Sequence, residues 1–218
     1  HTKVQLETVA KYPHAVAKNG ECLACHEPHT SGQPALLRKA ASALCADCHA
    51  DLGRQPAKGT LHPPAGEGAC LDCHLPHGGQ ERGLLRQPAA ATCAACHDTG
   101  TPGGAGWRSH EPVAAGNCTA CHDPHRSEQK ALLAAEPGKL CALCHEDIAN
   151  PQGAASIHPP SRDGCLDCHL AHGGQGAGFL REKAPTLCFG CHDEKSTGFT
   201  SSHLGRDPMG MDCLACHE

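Results

Sequence analysis

All eighteen cysteines of this 218-residue chain lie in one short pattern, Cys-x-x-Cys-His, which occurs nine times. The nine histidines that close the pattern are His26, His49, His74, His97, His122, His145, His169, His192 and His217. Histidine is about 9% of the chain, so nine matches by chance are improbable by roughly nine orders of magnitude. Any fold of this chain must therefore accommodate nine sites that have the same two cysteines and one histidine.

This pattern is the attachment signature of c-type haem, in which two thiols bond to the porphyrin edge and the histidine binds the iron. Disulfides and zinc sites are the alternatives for so many cysteines, but neither requires histidine at that place. Nine zinc sites would need about 36 ligands, and the chain has 37 Cys plus His. The pattern favours nine haem c groups. Their attachment cysteines are Cys22, Cys25, Cys45, Cys48, Cys70, Cys73, Cys93, Cys96, Cys118, Cys121, Cys141, Cys144, Cys165, Cys168, Cys188, Cys191, Cys213 and Cys216.

The composition argues against an ordinary protein core. Aromatic residues are 2% of the chain, while glycine and proline together number 42. Few large side chains remain to offset the entropy lost on ordering the chain. Large, flat, apolar cofactors are expected to fill the interior instead. The predicted fold is that of a multihaem cytochrome c: mostly coil, with a few short helices around a stacked haem chain, little or no β-sheet and no conventional hydrophobic core.

The motifs repeat with a fixed period. First-motif cysteines fall at 22, 70, 118, 165 and 213, and the two motifs of each full copy begin 23 residues apart. Such a period is typical of stacked repeat architectures. We predict a lead-in at 1–13, two-haem copies at 14–61, 62–109, 110–157 and 158–202, and a one-haem half copy at 203–218. All are expected to form one continuous haem-packed unit.

Each full copy shows a leading histidine, a Cys-His-x-Pro-His run, an apolar pair and a second motif, often preceded by leucine. In this order the chain resembles the doubled Cys-x-x-Cys-His family of multihaem cytochromes c, from His14 to His217. The departures are few: Ala171 replaces the proline in copy four, Thr92 replaces the leucine before Cys93, and the last unit stops half-way. The resemblance implies bound haems and electron transport.

Ten histidines lie outside the motifs. Nine recur at repeat positions and are candidate second iron ligands, namely His14, His29, His62, His77, His110, His125, His158, His172 and His203. Nine candidates for nine irons predict bis-histidine coordination, with His1 left over. A six-coordinate iron has no open position for a substrate.

The histidine of Cys-His-x-Pro-His is not expected to bind the iron of its own motif. His26 and His29 lie three residues apart and would share one side of a helical turn. One iron must receive its two ligands from opposite faces, so His29 and its counterparts are predicted to brace adjacent haems. The leading histidines, such as His14, can serve either a near haem or another one, and the sequence leaves this open.

Secondary structure is expected to be sparse. Each motif favours a short helical turn that places both thiols and the histidine on one haem, and one or two helical turns are predicted to lead into the second motif. Gly-Gly and Pro-Pro pairs are predicted to be loops. The apolar pairs, such as Leu36 and Leu37, are interpreted as packing against haem faces or as plain core contacts.

Charge and hydropathy limit the partners and the compartment. The formal net charge is −5, and nine haems would add about −9 when ferric and about −18 when ferrous. An acidic surface of this kind disfavours nucleic acid. No apolar run approaches the length of a membrane helix. The start at His1 is interpreted as a processed mature form, and haem attachment after export predicts an exported protein, extracellular in the favoured reading and periplasmic in the other.

The predicted function is long-range electron transfer along nine low-potential bis-histidine haems, with redox partner proteins or extracellular electron acceptors as partners. End-to-end association into a conductive filament is one form of it, and a monomeric periplasmic carrier is another. A multihaem oxyanion reductase is the alternative of a different class. Such an enzyme needs an open haem site, often at a variant Cys-x-x-Cys-Lys motif, whereas all nine motifs here end in histidine. We therefore predict that the protein is not an enzyme.

Overall fold

A computed structural model describes residues 4, 7, 9–98, 105–154, 156–193, 195–203 and 213. Its helices are short, at four to six residues each. The α-helices are Ala15–Lys18, Ala41–Ala46, Pro63–Gly66, Cys70–Cys73, Ala89–Ala94, Glu111–Ala114, Pro137–Ala142, Glu146–Ala149, Pro160–Asp163, Cys165–Cys168, Thr186–Phe189 and Thr197–Ser202. Single 3-10 turns are Cys22–Ala24, Pro34–Leu36, Arg82–Leu84, Cys118–Ala120, Lys130–Leu132 and Ala177–Phe179. Coil accounts for most of the rest, as predicted.

Six short strands form three antiparallel pairs in the part of the chain that the structure describes. They are β1 (Tyr12–Pro13), β2 (Thr60–Leu61), β3 (Gly78–Gly79), β4 (Trp107–Ser109), β5 (Arg126–Ser127) and β6 (Gly173–Gln175). β1 pairs with β3, β2 with β5 and β4 with β6. Each pair joins the residues just before a leading histidine to the residues just after the Cys-His-x-Pro-His run of the next copy. The backbone segment that leads into a copy is therefore joined to the copy that follows it.

The Gly-Gly pairs at 78–79 and 173–174 and the two Pro-Pro pairs are not the loops that the sequence predicts, and the pair at 103–104 lies outside the described residues. Gly78 and Gly173 lie in strands, where a Cβ atom at either position would collide with the facing backbone. The absence of a side chain is what lets the partner strand approach so closely. Pro63 and Pro160 begin helices instead, because proline suits the first helical turn, where its missing N–H has no partner to lose.

The chain divides into two compact units, one made of residues 1–99 and 112–136 and the other of residues 100–111 and 137–218. The first unit contains the β1–β3 and β2–β5 pairs. The second contains the β4–β6 pair and the helices between 137 and 202. The predicted boundaries between copies stay a prediction.

A tight loop after each first motif recurs in all four full copies. Two consecutive residues there have positive φ, for example Ala35 at 55° and Leu36 at 58°. The loop brings the second residue of the apolar pair against the motif histidine, as in the bridge between His26 and Leu37. The predicted helical turns follow and lead into the second motif, as Ala41–Ala46 does. The sequence prediction for this segment is confirmed in its helical part.

Side chains make almost no interior in the described part of the chain. Ala149, 7% exposed, is the one buried hydrophobic residue there, and Leu143 and Ile148 are 76% and 64% exposed. Within the described ranges no helix is long and apolar enough to cross a membrane.

The backbone pairing between copies predicts a specific sensitivity at Gly59. Its φ is +103°, and a Cβ atom there would collide with the backbone of Ser127 and Glu128. We expect Gly59→Ala to destabilise the folded protein by about 1–3 kcal/mol, because strain and collision add. Thermal unfolding followed by circular dichroism measures the change.

Gly32→Ala is the matched control for Gly59→Ala. Beyond its chain neighbours, no heavy atom lies within 4 Å of the place that a Cβ atom would take at Gly32, and its φ lies outside the left-handed range. The alanine should therefore be accommodated there without collision. Equal losses of stability in both variants would contradict the prediction.

Candidate functional site

Every described Cys-x-x-Cys-His motif closes a single turn of chain. The backbone N–H of the histidine donates to the carbonyl of the first cysteine, at 3.0 Å from His26 to Cys22 and 2.9 Å from His49 to Cys45. First motifs form their own turn, and second motifs begin in the last residues of a helix. Both thiols and the imidazole are thus held by one turn, as the sequence predicts.

The first-motif histidines have their ring orientation fixed by a backbone carbonyl. Nδ1 of His26, His74 and His122 lies 2.7–2.9 Å from the carbonyl oxygen of the residue nine positions later, and His169 makes the same contact. A carbonyl can only accept, so Nδ1 carries the proton. Nε2 then presents its lone pair on the opposite side of the ring, which is the form of histidine that binds a metal.

The carbonyls that accept these bonds belong to the strained loops. They are those of Ala35, Gly83, Ala131 and Gly178, each the first residue of a positive-φ pair. A left-handed backbone is uncommon for alanine and leucine, and backbone strain of this kind concentrates at functional sites. Sequence reasoning missed these residues because they act through the backbone. Each of them is an alanine or glycine that lies nine residues after the motif histidine, and this constant spacing is the sequence signal from which they could have been found.

The leading histidines are held by the next copy. Nδ1 of His14 donates to the carbonyl of Pro76 at 2.8 Å, and the backbone N–H of His14 donates to the carbonyl of His77 at 2.9 Å. His62 and His110 make the same two contacts one and two copies later. This arrangement frees Nε2 of each ring in the same way as in the first-motif histidines.

The structure brings the predicted histidines together as pairs of rings. Leading histidines lie against the second-motif histidine of their own copy, and first-motif histidines lie against the Cys-His-x-Pro-His histidine of the next copy. The pairs are His14–His49, His62–His97, His110–His145, His158–His192, His26–His77 and His74–His125, with centroids 5.8–6.3 Å apart. Each of the four leading histidines thus lies beside the second-motif histidine of its own copy.

This spacing fits one metal ion between two imidazoles. A metal–histidine bond of about 2.0–2.1 Å plus about 1.1 Å from nitrogen to ring centre gives centroids about 6.3 Å apart. A tetrahedral zinc site requires four converging ligands. No group of three or more His, Cys, Asp or Glu side chains converges in this way among the residues described. The observed arrangement is a set of two-histidine pairs.

Burial shifts the pKa of one histidine in these pairs, His125. Burial lowers the pKa of His125, and the neighbouring imidazole of His74 lowers it further, while the Asp123 carboxylate opposes both effects. A lowered pKa favours the neutral imidazole. Since only the neutral ring can donate its lone pair to a metal, the environment of His125 suits a ligand.

Successive motifs are neighbours in space within each unit. The thiol of Cys45 contacts that of Cys70, Cys93 contacts Cys118, and Cys188 contacts Cys213. Burial raises the pKa of Cys45, Cys93 and Cys188, and the adjacent thiols raise it further. Each contact joins the second motif of one copy to the first motif of the next.

Other predicted ligands have different surroundings. His29 is exposed, and no motif histidine is paired with it in the part of the chain that the structure describes. His203 stacks on Phe199 with centroids 4.1 Å apart, and its Nδ1 faces the Phe199 carbonyl. The backbone carbonyl of His172 accepts from His110. His1, Cys216 and His217 lie outside the described residues.

The residues present fit haem. A chain whose described part has one buried hydrophobic side chain needs large apolar groups in its interior. The imidazole pairs have the separation that two ligands of one iron would need, and in each pair one imidazole belongs to a motif whose two cysteines precede it in the sequence. When bound, haem supplies a one-electron iron couple.

A family model described as the doubled CXXCH motif matches the chain at residues 14–54, 62–101, 110–150 and 158–197. These matches cover most of the chain, and the protein belongs to this family of multihaem c-type cytochromes. It binds haem c covalently through its Cys-x-x-Cys-His motifs. No curated protein matches the chain.

The missing side-chain interior predicts that haem attachment is required for folding. We expect protein produced without haem attachment to lack helical far-UV circular dichroism and to be cleaved rapidly by a non-specific protease, because ordering the chain costs about 1–2 kcal/mol per residue. Parallel limited proteolysis of haem-free and haem-loaded protein is the measurement. Protection of the haem-free chain equal to that of the loaded protein would contradict it.

Proposed function

We propose that the protein carries nine haem c groups and transfers electrons over long distances along them. The observation that supports this is the regular set of imidazole pairs, which repeats from copy to copy. Thiol contacts between consecutive motifs also support closely spaced haems in sequence order within each unit. Close spacing of redox groups is what electron transfer over such a series requires.

The pairs define a ligand register. A first-motif iron receives its second ligand from the Cys-His-x-Pro-His histidine of the next copy, as His26 and His77 illustrate. A second-motif iron receives it from the leading histidine of its own copy, as His49 and His14 illustrate. Two imidazoles would together hold each iron and leave no place for a substrate, which favours an electron carrier over an oxyanion reductase. Bis-histidine ligation without methionine also favours low reduction potentials.

The chain's residues have three roles in this proposal. The cysteines tether each haem, the imidazoles fix its iron, and the left-handed loops orient the first-motif imidazoles through their carbonyls. Covalent attachment also lets a chain with little apolar surface hold many cofactors. We place the protein outside the cytoplasmic membrane, where redox proteins or extracellular acceptors would exchange electrons with it.

The ligand register is tested by His77→Ala. Removing His77 is expected to leave the haem at Cys22 and Cys25 five-coordinate, because His26 is its ring partner. Electron paramagnetic resonance should then detect one more high-spin ferric haem per molecule than in the parent protein. The same substitution in a Cys22→Ala/Cys25→Ala background should add none, since the haem that His77 serves is gone.

The haem count is the control in this experiment. A pyridine haemochrome assay should give nine haems for the parent and eight for the double-cysteine background. A new high-spin haem on His77→Ala in that background would show that His77 binds a different iron, and the register would be wrong.

End-to-end association into a filament is a second candidate, and the exposure of His29 favours it. In copies two and three the equivalent histidines, His77 and His125, lie against a first-motif histidine of the preceding copy. By this register, the partner of His29 belongs to a motif that precedes it in the haem series. A neighbouring copy of the protein can supply that motif.

Negative-stain microscopy of the purified protein tests this association. Filaments are expected for the parent protein and a large loss of length for His29→Ala, because the exposed imidazole would no longer bind the neighbouring iron. His14→Ala is the matched control, since its ring is already paired with His49 within the chain. Monodisperse particles of the parent under all conditions would exclude the filament while leaving electron transfer intact.

A further inference from the structure

We propose that Glu7 is a positioning residue that acts through His77 to lower the reduction potential of the haem attached at Cys22 and Cys25. The proposal rests on the ligand register, in which His26 and His77 bind the same iron. Nδ1 of His77 lies 3.0 Å from Oε2 of Glu7, so the imidazole N–H donates to a carboxylate. The side chains are 26% and 20% exposed, which limits screening by solvent.

The partner of His77 differs in kind from those of other histidines in the ring pairs. His14, His62 and His110 each donate from Nδ1 to a neutral backbone carbonyl. His125, the counterpart of His77 one copy later, has Asp123 at 3.8 Å, beyond hydrogen-bond distance. That carboxylate accepts instead from the backbone N–H groups that follow it. Of these five histidines, His77 is the one whose Nδ1 forms a hydrogen bond to a carboxylate.

Backbone contacts hold Glu7 in place. Its carbonyl packs directly on Gly78, where a Cβ atom would collide with it. It also accepts from the N–H of Ala10 at 3.2 Å. The β1–β3 pair then anchors the segment that follows, with Pro13 opposite Gly78. Glu7 and Tyr12–Pro13 thus lie against the strand that follows His77.

A comparison between copies shows that the carboxylate is particular to this site. Glu7 stands seven residues before the leading histidine His14, and the residue at that position in the next copy is Gln55. The amide of Gln55 donates to the carbonyl of Gly59. The next copy therefore already has an amide where position 7 has a carboxylate, which is the same change that Glu7→Gln would make.

A carboxylate on the N–H of a ligand histidine increases the electron donation of the other ring nitrogen. It also places negative charge near the iron. Both effects stabilise the ferric state more than the ferrous state, and the hydrogen bonds and net charge around a haem set its potential. The haem at Cys22 and Cys25 is therefore more reducing than the one at Cys70 and Cys73, whose pair is His74 and His125.

Glu7→Gln is the direct test, because the amide keeps an acceptor of the same shape and removes the charge. Spectropotentiometric titration of the whole haem-loaded protein should show one component moving to higher potential. The expected size is a tenfold loss of preference for the ferric state, about 59 mV for one electron. The low-spin electron paramagnetic resonance signal of one haem should shift with it. Glu7→Asp, which keeps a carboxylate, should give a smaller shift.

The matched control is Glu21→Gln. Glu21 adjoins Cys22 and carries the same charge, but its carboxylate is exposed and bonds to Asn19 at 3.1 Å. Its loss should leave the potentials unchanged. Equal shifts in both variants would overturn the proposal, since a general charge effect would explain them, and so would no shift in Glu7→Gln.

The Cys22→Ala/Cys25→Ala background separates the role of Glu7 from the ligand register. Glu7→Gln should have no effect there, because the haem concerned is absent, and a persisting shift would assign Glu7 to another haem. If His77→Ala produces the extra high-spin haem in the parent and Glu7→Gln changes nothing, the role of Glu7 fails while the ligand register holds. If His77→Ala produces none, the register itself fails.

Discussion

The pairing of two imidazole rings is the interaction on which the rest of this structure depends. In the first unit the pairs link positions as distant as His26 and His77, which lie in different copies. With one buried hydrophobic side chain in the described residues, these links replace the packing that organises most domains. The short strands and helices serve to orient the imidazole rings. Their small size follows, since they need only fix a few carbonyls and N–H groups.

The sequence predicted the features that repeat as side chains and missed those that act through the backbone. The motif turns, the helices before Cys45 and Cys93, and the coil-rich fold follow directly from the pattern of cysteine, histidine, glycine and proline. The carbonyl contacts to the four first-motif histidines, such as that of Ala35, could not be predicted in this way, because every residue has a backbone carbonyl. The partner of His14 was also undetermined, since spacing alone allows several irons within reach.

Non-repeating residues were the hardest to predict. Glu7 lies outside the copies, and an isolated acid in a lead-in has no pattern from which a contact could be inferred. Only the pairing of Tyr12–Pro13 with Gly78–Gly79 brings it to His77. The Gly-Gly pair itself indicates a loop on propensity, because glycine is disfavoured in strands. Close approach of two backbones outweighs propensity at that place.

The pairing of each copy with the next makes the length of this fold adjustable in whole copies. The start of one copy meets the same structural position in its successor each time, as β1 meets β3 and β2 meets β5. Recombination that removed residues 62–109 would place Arg126–Ser127 opposite Tyr12–Pro13 and His125 opposite His26. The imidazole pairs would therefore form again around the join. Loss of half a copy would instead separate leading histidines from their second motifs. Gene duplication in units of two motifs is thus the step that this architecture tolerates, and each such step adds two irons without redesigning the others.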